Sequence, residues 1–173
     1  MFFGANTPTE VGSFVISLVG PIFIGVAAAG FTAYFALRRF YRERWWEKKH
    51  AAYGQLIDIL IEMKLIYASA VIHFERIYQA ERRLEDVPDY YFEWGRFNEL
   101  KKELRRSFIL APISLSANTK ELLDDFFSLD ASANESIYEE GYPEQAAYGD
   151  MVKDVEDIIS LIVEDAKKEL NFN

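Results

Sequence analysis

Residues 53–74 read YGQLIDILIEMKLIYASAVIHF, and their apolar side chains recur with a seven-residue period. One position of the repeat is held by Trp46, Tyr53, Leu60, Tyr67 and Phe74, and the other by Leu56, Met63, Ala70 and Ile77. A repeat of this length is typical of a long helix that packs in coiled-coil fashion along one seam. Since no proline occurs between Arg38 and Asp86, the helix is predicted to cover that whole range without a break.

The segment before this helix is apolar. Residues 11–37 contain no charged side chain. At about 1.5 Å per residue the run is longer than the ~30 Å hydrocarbon core of a bilayer. The pattern therefore predicts one transmembrane helix over 11–37, which follows a short external N-terminus over residues 1–10 and continues into the seam helix.

A basic and aromatic collar, residues 38–50, follows the apolar segment. Its members are Arg38, Arg39, Arg42, Arg44, Trp45, Trp46, Lys48 and Lys49. Because basic residues mark the cytoplasmic side of a span, the N-terminus is expected outside and the remainder of the chain in the cytoplasm. The collar either only sets this orientation or also binds anionic lipid headgroups.

Small side chains form a stripe within the predicted span. Gly25, Ala29, Ala33 and Ala36 recur at intervals of three or four residues, which places them on one helix face. Such a stripe permits close approach of two helices, so it is the candidate self-association face.

The rest of the chain, residues 51–173, is predicted to be a cytoplasmic antiparallel helical bundle. After the seam helix come a helix over 90–111, a shorter one over 119–129, an exposed loop over 130–144 and a last helix over 145–170. No strand-like alternation is present, so the predicted fold class is all-α, with three long helices and one short one.

Charge limits the classes of partner. The chain has a net charge of −9, so it is not expected to bind nucleic acids in general. From Ser116 to Asn173 there are four basic and fifteen acidic residues, a net charge of −11. This acidic part is interpreted as a solvated surface, as a docking surface for a basic partner, or as a cation-responsive loop.

No catalytic, cofactor or metal site is predicted. The chain has no cysteine, which excludes thiolate chemistry and cysteine-ligated metals. Glu47 and His50 have the Glu-x-x-His spacing of di-iron bundles, but the only other histidine, His73, follows an alanine at that spacing. Neither a phosphate-binding loop nor a nucleophile motif occurs, and nothing indicates a small-molecule substrate.

The run Arg44-Trp45-Trp46-Glu47-Lys48-Lys49 resembles a motif in a family of short bacterial single-pass membrane proteins, where a similar Trp-Trp-Glu-Lys sequence follows one N-terminal span. The C-terminal sequence of residues 164–170 is also similar to the C-terminal sequence of that family. The resemblance implies a bacterial inner-membrane location. The family has no established activity, so no catalytic residue is implied.

These features favour a membrane-anchored, non-enzymatic interaction or assembly protein, which binds lipid and either a second copy of itself or another protein. Two alternatives stay open: a membrane-perturbing effector of a bacterial defence or toxin system, and a regulatory subunit of a larger membrane complex.

Overall fold

The computed structural model describes residues 8–86 and 91–170, with side chains described from Gly25 onward except at Ala27. Within that part the chain forms four helices, α1 (Pro8–Arg83), α2 (Gly95–Ser114), α3 (Ala117–Tyr138) and α4 (Glu144–Glu169), and no strand. The chain divides into two compact units, Met1–Trp45 and Trp46–Asn173. The helical bundle is therefore confirmed for the described residues.

The prediction of a transmembrane helix over 11–37 is wrong. Across the ranges that the structure describes, no helix is long and apolar enough to cross a membrane.

The structure does not test the predicted N-terminus, location or orientation, but it does test the continuity of the helix. Residues 1–7 of the expected external N-terminus, and the side chains of residues 11–24, lie outside the described residues. The orientation was predicted from the basic collar and the inner-membrane location from the family resemblance, and both stay predictions from the sequence. The expected continuity of the helix is confirmed, because α1 runs from Pro8 to Arg83 as a single element.

The seam of α1 forms one wall of the core. Every seam residue is buried except Trp46, which is 41% exposed. The seam packs in one cluster with apolar residues of the other three helices, among them Phe97, Leu100, Leu104, Leu123, Phe126, Met151, Val155, Ile158 and Ile162. Since helices of the same chain cover the seam and Ile59 widens it, the arrangement is a bundle, and a coiled coil is not supported.

Contacts across the core give the direction of α4. The Trp46 indole Nε1 donates to the Leu170 carbonyl oxygen at 3.2 Å, near the end of α4. Further along α1, the Phe74 and Tyr148 rings lie 5.6 Å apart, near the start of α4. The two helices therefore run antiparallel, as predicted. The five-residue connection 139–143 makes α3 and α4 an antiparallel pair as well.

The third helix is longer than predicted. The expected loop over 130–144 is wrong, because α3 continues to Tyr138. Ser and Asn have low helix propensity in isolation, but Asp130 and Ile137 are both buried against other helices and their contacts hold the chain helical. The turn itself is at Gly141, whose φ of +69° suits glycine. The bundle thus lacks the predicted short helix.

The end of α1 carries one strained residue. The Glu85 amide donates to the Ala80 carbonyl at 3.1 Å and the Leu84 amide donates to the Glu81 carbonyl at 3.2 Å, the pair of bonds of a Schellman motif. This motif requires a left-handed residue, and Leu84 adopts a φ of +55°. Residues 87–90, where the sequence predicted a proline-containing turn, lie outside the described residues.

Candidate functional site

The described part of the unit Met1–Trp45 exposes its large apolar side chains to solvent. From Val26 to Trp45 they are between 50% and 67% exposed. They are Val26, Phe31, Tyr34, Phe35, Leu37, Phe40, Tyr41 and Trp45. Contiguous exposed apolar surface of this kind marks sites of interaction with another protein or with a membrane.

The predicted self-association face lies on this exposed segment. Gly25, Ala29, Ala33 and Ala36 are all exposed and share one side of α1. A Cβ added at Gly25 would meet no atom within 4 Å in the described part of the chain. The stripe is therefore open to a neighbour, and its self-association stays a prediction.

The opposite side of the same segment is aromatic and basic. Phe31, Phe35, Arg38, Arg42 and Trp45 follow one another at intervals of three or four residues, so they lie on one face of α1. We call this set the basic-aromatic face. All five side chains are exposed.

Other collar residues make contacts within α1. The Arg39 guanidinium donates to the Glu43 carboxylate at 2.7 Å, and that hydrogen bond raises the pKa of Arg39. The Arg44 guanidinium lies 5.1 Å from the centre of the Phe40 ring. Both are contacts between neighbouring turns of an exposed helix, where such pairs contribute little to stability.

Two members of the predicted collar belong to the bundle instead. Trp46 donates to the Leu170 carbonyl and stacks on His50 with ring centres 5.3 Å apart. Lys49 forms an ion pair with Glu169 near the C-terminus of α4. Spacing along α1 could not indicate the contacts with Leu170 and Glu169, because these partners are more than a hundred residues away in sequence.

A buried carboxylate joins three helices at this end of the bundle. Asp165 of α4 is 8% exposed and accepts hydrogen bonds from the Tyr53 hydroxyl at 3.0 Å, the Thr119 hydroxyl at 2.6 Å, and the Ser116 hydroxyl. Ser116 also caps α3 by accepting from the Thr119 amide at 2.9 Å. We call this group the Asp165 cluster.

The hydrogen bonds decide the ionisation of Asp165. Burial raises the pKa of its carboxyl, but the bonds from Ser116, Thr119 and Tyr53 outweigh burial and hold the pKa below its ordinary value. Asp165 is therefore ionised at neutral pH. A carboxylate that is already held by three donors acts as a structural acceptor.

A second buried carboxylate lies further along the core. Asp130 is 3% exposed, accepts from the Tyr67 hydroxyl at 2.6 Å and forms an ion pair with Lys101. Burial, together with the neighbouring Asp130 carboxylate, raises the pKa of Tyr67 well above its ordinary value, so its hydroxyl stays neutral and donates. Asp130 links α1, α2 and α3 in the way that Asp165 links α1, α3 and α4.

A small cavity of about 240 Å³ opens beside Asp130. Its lining is mainly aromatic, with Tyr67, Trp94, Phe97, Tyr138 and Tyr148 around the Asp130–Lys101 pair. Both charged groups are already paired with each other, so the arrangement does not present a free acid or base to a substrate.

The sequence contained a signal for both buried acids. Asp130 follows Leu123 and Phe126 at intervals of four residues or fewer, and Asp165 follows Ile158 and Ile162 in the same way. Each acid therefore occupies a position in an apolar helical stripe, where a carboxylate must be buried and paired.

Among the described residues, no group of three or more His, Cys, Asp or Glu side chains that could hold a metal ion occurs. Comparison of the chain with protein-family models, curated proteins and solved structures finds no match.

Proposed function

We propose that the protein is a non-enzymatic helical interaction and assembly protein, in which the exposed segment of α1 from Gly25 to Trp45 binds another protein chain. One observation carries the proposal, namely the run of large apolar side chains from Val26 to Trp45, each at least half exposed. Exposed apolar surface on this scale favours aggregation unless a partner covers it.

Burial of these exposed apolar side chains can supply enough binding free energy for a specific complex. Full burial of one large apolar side chain contributes about 1.5–3 kcal/mol. A micromolar complex needs about 8 kcal/mol beyond the cost of association, so a partner has to cover several of these side chains. The eight between Val26 and Trp45 supply enough surface for one contact of this strength.

A second copy of the chain is the first partner to test. The small-residue stripe at Gly25, Ala29 and Ala33 supports close packing of two like helices. Aromatic and arginine side chains on the other side of the segment are the residue types that dominate protein–protein contacts.

Light scattering of the full-length protein tests the proposal, in a non-ionic detergent whose mass is subtracted. We expect the wild type to have a mass that is a multiple of 20.0 kDa. The complex of the double variant Phe31→Ser, Phe35→Ser should dissociate at concentrations at least tenfold higher than the wild-type complex, because the contact loses two exposed rings.

The matched control is Ile109→Ser with Ile113→Ser on α2, which removes two side chains with the same spacing and exposures of 69% and 66%. Its mass should equal that of the wild type. A wild-type mass of 20.0 kDa at all concentrations, or equal dissociation of both double variants, would show that the α1 segment is not a contact surface.

A further inference from the structure

A groove on the bundle complements the basic-aromatic face of α1. The groove lies between α3 and α4 and encloses about 490 Å³. Its floor is apolar, with Leu122 and Leu129 from α3 and Ile158 and Leu161 from α4. Leu161 is 48% exposed, so part of this apolar floor is accessible.

The rim of the groove is acidic on both sides. Asp125 stands on α3, and Asp154 and Asp157 stand on α4. None of these three carboxylates takes part in an ion pair in the described part of the chain. Three unpaired like charges around an apolar floor favour a ligand with basic and apolar groups together.

The basic-aromatic face has that composition. Its arginines, Arg38 and Arg42, also take part in no ion pair among the described residues. Phe35 and Trp45, at the two ends of the charged part, are 59% and 56% exposed. Amphipathic helices bind grooves between two helices by laying such a face onto the apolar floor.

The two surfaces also match in length. From Leu122 to Ser132, the α3 side of the groove rises by about 15 Å at 1.5 Å per residue. From Phe35 to Trp45, the basic-aromatic face rises by about 15 Å as well. Phe35 and Trp45 can therefore reach the two ends of the floor while both arginines lie between the acidic rims.

We propose that the basic-aromatic face of one copy docks in the α3–α4 groove of a second copy. This inference rests on the proposed function and names its partner and contact. Because the two contacting surfaces differ, each chain carries one donor surface and one acceptor surface. Such a contact gives either a reciprocal dimer or a larger head-to-tail assembly.

Charge reversal on each surface tests the contact. The groove variant Asp125→Lys, Asp157→Lys and the face variant Arg38→Glu, Arg42→Glu should each lower the affinity of self-association at least tenfold, measured by light scattering. The control Asp58→Lys, Glu103→Lys changes the net charge by the same amount as the groove variant, but on α1 and α2. Its affinity should equal that of the wild type.

A mixture of the face variant and the groove variant tests the contact most directly. The face variant retains an intact groove and the groove variant retains an intact basic-aromatic face, so an equimolar mixture should form mixed complexes that contain the two variants in equal numbers. A chain with all four reversals should regain self-association. Circular dichroism and melting temperature of each variant, compared with the wild type, establish that the substituted chains are folded.

The outcomes separate the two proposals. If the wild type assembles and Phe31→Ser, Phe35→Ser dissociates it, while groove reversal has no effect or the mixture stays monomeric, then the groove is not the docking site and the proposed function stands. If the wild type is monomeric throughout, both proposals are overturned.

Discussion

The hydroxyl of Tyr53 on α1 donates a hydrogen bond to the carboxylate of Asp165 on α4 at 3.0 Å, and both residues are at least nine-tenths buried. The same carboxylate accepts from Ser116 and Thr119 at the start of α3. The pair therefore fixes the position of α4 along α1 and ties the N-terminus of α3 to both helices. A register shift of any of the three would leave a buried carboxylate unpaired, which is costly.

Tyr53→Phe should destabilise the bundle. The substitution removes one hydrogen bond to a charged group and keeps the ring, so we expect the free energy of unfolding in urea to fall by about 1.5–3 kcal/mol. Tyr78→Phe is the matched control, since Tyr78 is 40% exposed and its change should stay within about 0.5 kcal/mol. Equal effects of the two substitutions would contradict the role of the Asp165 cluster.

Asp165 should make stability depend on acid pH. Its pKa in the folded chain is held below the ordinary value, so the stability that it contributes is present above the unfolded pKa of about 4. This stability is lost as the pH falls through the folded pKa. The difference in unfolding free energy between wild type and Asp165→Asn should therefore shrink from pH 7 towards pH 2. A difference that grows on acidification would mean that the carboxyl is protonated in the folded protein.

Lys101→Met should leave Asp130 without its ion-pair partner. Because the Asp130 side chain is 4% exposed, the uncompensated charge should lower the free energy of unfolding by about 1–3 kcal/mol. Lys102→Met removes an exposed lysine next to it and should change stability by less than about 0.5 kcal/mol. Chemical denaturation of both variants measures the contrast, and its absence would show that Tyr67 alone satisfies Asp130.

Leu84→Gly should stabilise the end of α1. Leu84 has a φ of +55° and is 96% exposed, so it has backbone strain without compensating burial. Relief of a left-handed conformation gains about 1–2 kcal/mol, part of which the greater freedom of glycine in the unfolded chain offsets. We expect a net gain of about 0.5 kcal/mol in thermal unfolding, against no gain for Leu84→Ala. A loss of stability in Leu84→Gly would assign a packing role to the leucine.

The seam of α1 was predictable because its signal is local. Leu56, Leu60 and Met63 recur on one helix face, and any packed helix with that pattern buries them; all three are fully buried.

The extension of α3 was not predictable by the same reasoning. The sequence around Asp130 and Asn134 is polar and favours a loop. Its helix depends on Tyr67 and Lys101, which come from two other helices. Contacts between distant residues of this kind override local propensity, and they also created the Asp165 cluster.

The prediction of a transmembrane helix was wrong, and it rested on amino-acid composition alone. The absence of charge from residues 11–37 indicated a span. Within the described side chains, α1 has no stretch that is long and apolar enough to cross a membrane.

Site-specific cross-linking tests the central claim, that the segment from Gly25 to Trp45 contacts another chain. The protein has no cysteine, so each introduced cysteine is unique. Ala29→Cys, Ala33→Cys and Trp45→Cys would each be labelled with a benzophenone maleimide, which on irradiation cross-links to any chain in contact with it, and compared with Lys102→Cys on α2. We predict a cross-linked product of twice 20.0 kDa from at least one segment position and only the monomer from Lys102→Cys. Monomer at every segment position, or equal cross-linking at all four, would contradict the account.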